Sequence, residues 1–124
     1  KLCVKKMKQM GWKVKDGIPL QYVIGKWDFY ESEFYVGDGV LIPRPETEEL
    51  VQKAIDYISS LNKCTVYDLC SGSGCIGLSI AKKCSNSFVY LIEKSAEALT
   101  YLEKNAKDIK NVKVIKGDIT DINE

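Results

Sequence analysis

Apolar and polar positions along this chain change period more than once, and each change marks a different kind of element. Leu2, Val4, Met7 and Met10 recur at near-helical spacing among lysines, which predicts the last turns of a helix ending near Gly11. A compact apolar link, residues 19–25, follows. Trp27 and Phe29 then alternate with polar neighbours, as do Phe34 and Val36, ahead of Gly37-Asp38-Gly39 and Val40-Leu41-Ile42. This period of two in strong β-formers predicts a hairpin or three short strands, one aromatic face packed on a neighbour. Pro43-Arg44-Pro45-Glu46-Thr47 opens a helix. Pro45 suits its first position, the acids suit its positive end, and Leu50, Val51, Ala54, Ile55 and Ile58 form one stripe to about Ser60.

From Thr65 the rhythm becomes strand, helix, strand, helix, strand. The predicted strands are 65–69, 88–92 and 112–115, and the predicted helices are 74–83 and one from Ser95 to about Asp108. Residues 88–92 are almost continuously apolar, the pattern of a parallel strand covered on both faces. Right-handed crossovers set the three strands parallel with their carboxyl ends on one rim, where open α/β sheets bind ligands. The fold class is therefore α/β.

Asp68, the turn Cys70-Ser71-Gly72-Ser73-Gly74, Glu93 and Asp118 all fall on that rim. Gly72 to Gly77 fits G-x-G-x-x-G, and Glu93 follows about twenty residues on, as a dinucleotide site asks. Asp68, however, ends the strand four residues before Gly72. A carboxylate there repels a pyrophosphate and attracts a cation, which favours the sulfonium and ammonium of S-adenosylmethionine over NAD. A tight strand–helix turn without any ligand is the plainer reading. Glu93 can accept hydrogen bonds from vicinal ribose hydroxyls, since an ionised acid only accepts. Asp118 can accept from an adenine amino group with Ile119 packing on the ring. Each acid is otherwise an ordinary solvated loop residue.

Charge and cysteine content narrow the partners. Eighteen basic and seventeen acidic residues leave a formal net charge of +1, so no global field argues for nucleic acid or a membrane surface. No apolar run reaches spanning length. Five cysteines (Cys3, Cys64, Cys70, Cys75, Cys84) without a C-x-x-C pair, and no histidine, predict reduced thiols in a cytoplasmic protein and no metal site. The lack of histidine also removes the commonest general base. Arg44 is the only arginine, held between two prolines, which suits a fixed, forked hydrogen-bonding task as readily as a surface accident.

Taken together, residues 17–25, Phe29, Phe34, Val36, the run Leu41-Ile42-Pro43-Arg44-Pro45-Glu46-Thr47-Glu48 and Asp68 to Gly74 resemble the HemK/PrmC family, in that order along the chain. These are S-adenosylmethionine-dependent enzymes that methylate the glutamine of the Gly-Gly-Gln motif in peptide-chain release factors. The resemblance implies a partial Rossmann-like class I methyltransferase domain over residues 45–124. It also implies a β-hairpin linker at 25–44 and the end of a helical, substrate-holding domain at 1–24. It places Cys70, Ser71, Gly72, Ser73 and Gly74 along the methionine part of the donor, Glu93 at its ribose, and Asp118 with Ile119 at its adenine. Arg44, Glu46 and Thr47 become active-site support. Cys70 stands where the family usually has glycine, and its Cβ narrows the approach; Glu93 replaces the more frequent aspartate.

The family's acceptor tetrapeptide, Asn-Pro-Pro-Tyr, is absent: no asparagine here precedes proline. Residues 1–124 alone are thus expected to supply part of a donor pocket, no catalytic residue, and no activity. An uncovered sheet edge is expected to promote self-association. The other readings are a methyltransferase for a ribosomal-protein glutamine or DNA adenine, against which the neutral charge speaks in the DNA case, and a nucleoside-binding module without chemistry.

Overall fold

The structure, a computed structural model, describes residues 17–120. The expected helix of residues 1–11 lies outside the described residues. Residues 19–25, read from sequence as a plain apolar link, instead form a short helix, α1 (Leu20–Ile24). Pro19 O accepts from Tyr22 N, and the left-handed Gly25 (φ 84°) closes the helix by donating to Gln21 O at 2.9 Å.

The hairpin is two strands, not three. β1 (Lys26–Phe29) pairs antiparallel with β2 (Ser32–Tyr35), Trp27 opposite Phe34. Tyr30 and Glu31 make the reversal with φ of 46° and 61°, the left-handed pair that a two-residue turn requires. Residues 40–42 add no strand: Val40 N turns back onto Gly37 O, and the Tyr22 hydroxyl donates to Val40 O, so both backbone groups of Val40 are taken up outside any ladder. Phe29 and Phe34 are buried edge to face, with ring centres 6.3 Å apart, and complete the packed aromatic face that their spacing predicts.

The next helix, α2, runs Thr47–Ser59. Pro45 sits just ahead of it, in tight turns where Thr47 N and Glu48 N donate to Arg44 O and Pro45 O. The expected first position of Pro45 is therefore displaced by two residues. Val51, Ile55 and Ile58 of the predicted stripe are buried against α3 (Cys75–Lys83) in the same core as Phe29 and Phe34, with Ala54 partly buried beside them, whereas Leu50 turns to solvent.

The main sheet holds β3 (Cys64–Leu69), β4 (Ser87–Glu93) and β5 (Val112–Lys116), parallel and in that spatial order, with α4 (Ala96–Ala106) between β4 and β5. Val89 and Leu91 are fully buried under the helices, whereas Phe88 is exposed and Tyr90 half-buried. Cover on both faces was expected; among the described residues one face is covered. The other carries Tyr67 stacked on Tyr90 (ring centres 5.3 Å apart) and Phe88 edge-on to Tyr90 (5.1 Å). Consecutive right-handed crossovers in one direction place both helices on the same side, which accounts for the bare face.

Two asparagines pin the loops at the end of the sheet away from the rim. Asn86 Nδ2 donates to Ile58 O and Leu61 O (3.0 Å each), and Asn111 Nδ2 donates to Ala81 O and Ser87 O (3.0 Å each). Among the described residues, no helix is long and apolar enough to cross a membrane, and no group of three or more potential metal ligands is gathered.

Candidate functional site

The turn after β3 is assembled mostly by its own backbone. Cys70 is exposed and adopts φ 59°, the left-handed region that glycine occupies without strain. Ser71 N then donates to Ile92 O on β4 (3.0 Å), while the Ser71 hydroxyl donates to Asp68 O (2.7 Å). Gly72 N donates to Glu93 Oε1 (2.8 Å), and Gly74 N closes the turn onto Ser71 O (2.8 Å). Gly74 has φ 85°, and a Cβ there would lie 2.5 Å from Leu102 Cδ1, so glycine is demanded twice over. A Cβ on Gly72 would meet nothing within 4 Å; that side of the turn is open to a ligand.

Glu93 uses both carboxylate oxygens on the backbone. Oε1 holds the turn through Gly72, and Oε2 accepts from Ser95 N (2.9 Å), where α4 begins. Ser95 Oγ in turn caps α4 by accepting from Ala98 N at 3.3 Å. The acid therefore joins the two loops that follow β3 and β4, and its oxygens retain lone pairs toward the cleft.

Cys70, Ser71, Gly72, Ser73 and Glu93 line one cleft of about 440 Å³ together with Leu41, Ile42 and Arg44 from the segment before α2 and Thr47 at its start. The volume is in the range of small-molecule sites. A larger hollow of about 620 Å³ lies behind the hairpin, against Tyr35 and Lys104, but it includes none of the glycine-turn residues 70–74. The cleft is the better candidate because the motif, the two loops and the polar groups converge there.

Five of the residues singled out from sequence are not in the cleft wall. Asp68 alternates with Tyr67 and Leu69 on β3, and this period sends its side chain to the helix side of the sheet. There Oδ2 accepts from Gly77 N, in the first turn of α3, at 3.0 Å. Burial raises its pKa to about 6, opposed by the hydrogen bonds from Gly77 and Ser71 and reinforced by the charge of Glu93. Asp68 is thus a brace behind the turn rather than an acid at its mouth. Gly74 is consumed by packing against α4. Asp118 accepts from Thr120 N and Oγ1 (2.9 and 2.6 Å) and pairs with Lys94 Nζ at 3.2 Å, interactions that hold its carboxyl down at about 2. Ile119 is exposed beside it, and Glu46 stands at the start of α2, outside the wall.

Sequence reasoning missed Asn105. Its Oδ1 accepts from Tyr35 N (2.6 Å), and its Nδ2 donates to Tyr35 O (3.1 Å) and Ser73 O (2.8 Å). Its partners lie 70 and 32 residues away, so no local pattern announces it.

The chain is similar to known proteins in sequence and in fold. The release factor glutamine methyltransferase of Flavobacterium psychrophilum is 45% identical over 96 residues, covering 75% of this chain and 34% of that protein. The one from Thermodesulfovibrio yellowstonii is 44% identical over 106 residues, covering 82% and 38%. The chain spans a little over a third of the length of these relatives. Among solved structures, M. jannaschii TYW2 in complex with AdoMet superposes with a TM-score of 0.63 at 27% identity, covering 78% of this chain and 44% of that one. A SAM-dependent methyltransferase from Agrobacterium tumefaciens shares the fold, with a TM-score of 0.61 at 17% identity over 76% of this chain and 33% of that one. Residues 60–124 match the family described as methyltransferase domain. With more than half its residues inside that match, and with the resemblance to HemK/PrmC proteins carried by these relatives, the chain belongs to the methyltransferase domain family.

Proposed function

We propose that this chain carries the methyl-donor half of an S-adenosylmethionine-dependent enzyme that methylates the glutamine side chain of the Gly-Gly-Gln motif in peptide-chain release factors. One observation carries the donor reading: the N–H groups that a pyrophosphate would seek are already taken by carboxylates. Glu93 occupies Gly72 N, and Asp68 occupies Gly77 N at the start of α3. A phosphate in the cleft would have to displace Glu93 from Gly72 N and lie against its charge, with the carboxylate of Asp68 behind the turn adding to the repulsion, whereas a cationic, hydroxyl-bearing ligand finds an acceptor waiting. The open side of Gly72 and the cleft volume fit such a ligand.

In this reading the donor supplies an electrophilic sulfonium methyl group. Residues 70–73 hold its amino-acid end against the backbone, and Glu93 accepts from its ribose hydroxyls. Asp118 and Ile119, just beyond β5, flank its base. Asp68 acts from behind, by fixing the helix start and adding negative potential. An amide nitrogen is a weak nucleophile, so the reaction depends on acceptors that orient it for in-line attack. No residue 1–124 supplies that clamp, and Arg44 and Thr47 face the cleft where the acceptor side chain would enter. Residues 1–24 would belong to the part that holds the release factor, and 25–44 would link it to the donor domain. The substrate assignment is supported by the names of the relatives above.

Calorimetry on the full-length protein tests the donor reading. S-adenosylmethionine is expected to bind and NAD is not, and Glu93→Gln is expected to weaken the donor by about tenfold or more, as loss of a charged acceptor does. Preference for NAD would overturn the reading. Methyl transfer to a release factor, measured beside a ribosomal protein, tests the substrate.

A further inference from the structure

We infer that Asn105 is a positioning residue that couples the glycine turn to the aromatic hairpin; the inference rests on the donor reading above for its functional consequence. A side-chain amide has one acceptor oxygen and two donor hydrogens in a plane. Asn105 spends them on the N–H and C=O of a single residue, Tyr35, and on the carbonyl of Ser73. The pair with Tyr35 extends the free edge of β2 much as a neighbouring strand would. The bond to Ser73 reaches a buried residue in the middle of the turn.

The same helix seats the segment that follows β2. A Cβ on Gly37 would run into the Tyr101 ring, and one on Gly39 into the Glu97 side chain, so both glycines let the chain lie directly on α4. From there the segment continues to Leu41, Ile42 and Arg44, which line the cleft. One face of α4 thus holds both the glycine turn, at Ser73, and the segment that brings Arg44 to the cleft. Asn105 is the polar joint of that face. Aspartate at 105 keeps an acceptor for Tyr35 N but turns a second oxygen toward two carbonyls. Alanine leaves all three backbone groups unpaired.

The test compares Asn105→Asp and Asn105→Ala with Thr100→Ala in the full-length protein. Thr100 lies on the same helix, and its hydroxyl bonds only within it, to Ala96 O at 3.2 Å. Hydrogen exchange should quicken together at Tyr35 and across residues 70–74 in both Asn105 variants, while β4 and β5 keep their protection. KM for S-adenosylmethionine should rise about tenfold, with kcat changed by less than about threefold. Thr100→Ala should do neither. Uniformly faster exchange with an unchanged KM would reduce Asn105 to a purely structural residue and overturn the inference. Wild-type protein that fails to bind S-adenosylmethionine would instead overturn the donor reading, and the exchange pattern would still decide the coupling.

Discussion

Asp68 shows how far the position of one side chain can redirect its chemistry. Strand alternation takes its carboxylate behind the turn, where burial raises its pKa from 3.8 to about 6. The folded state then holds that proton more tightly than the unfolded chain does between those two values. Folding stability is therefore expected to be greatest below about pH 4 with respect to this group, and to decline as pH rises to about 6. The loss is on the order of 2–3 kcal/mol at most. Urea unfolding of wild type and Asp68→Asn at pH 4.5 and 7 checks this: the wild type should lose more stability between the two than the variant. Asp118 runs the other way. Its lowered pKa gives a contribution present above about 3.8 and lost as pH falls toward 2, so it does not blur the window of Asp68. A cationic donor favours ionised Asp68, so its binding near pH 6 should release protons.

At the scale of elements, the helix and strand periods carried most of the information, because each element of the α/β half has one face to bury. The strands and helices from residue 64 onward stand within two residues of their expected ends, and Val51, Ile55 and Ile58 are buried where the stripe puts them. What was illegible depends on contacts between distant segments. The continuous apolar run of residues 88–92 says that they form a strand, but not that Phe88 and Tyr90 would face outward. The missing third strand of the hairpin depends on Tyr22, and the placement of Asp68 depends on which way β3 faces. In the site, the glycine turn and Glu93 were readable from spacing; the anchoring of Glu93 on both loops, and Asn105 altogether, were not. Gly77 illustrates an element-level constraint that the motif only hinted at. A Cβ on it would lie 2.5 Å from Leu91 Cδ2 and 2.8 Å from Asp68 Oδ2, so α3 can approach β3 and β4 only through glycine. Gly77→Ala should cost about 1–3 kcal/mol despite the better helix propensity of alanine, measurable by chemical denaturation. An unchanged or raised stability would show that the helix can simply step away.

Across the whole molecule, the covered and bare faces of the sheet differ sharply. Among the described residues β3 has a neighbour on one side only, and Tyr67 and Leu69 are 64% and 53% exposed on the bare face. An unpaired edge beside an apolar patch invites association. Residues 1–124 made alone should sediment with concentration-dependent mass, and Tyr67→Lys with Leu69→Lys should shift them toward monomer. A single monomeric species at all concentrations would argue against the edge as a contact. Asn86, Asn105 and Asn111 serve the folded chain in one further common way: each joins segments by donating to main-chain carbonyls. Spontaneous hydrolysis of such an amide releases ammonia and leaves a carboxylate facing those same oxygens. Such a change would loosen this protein at its joints rather than in its core, because the new carboxylate and the carbonyls repel one another where a donor had held them together.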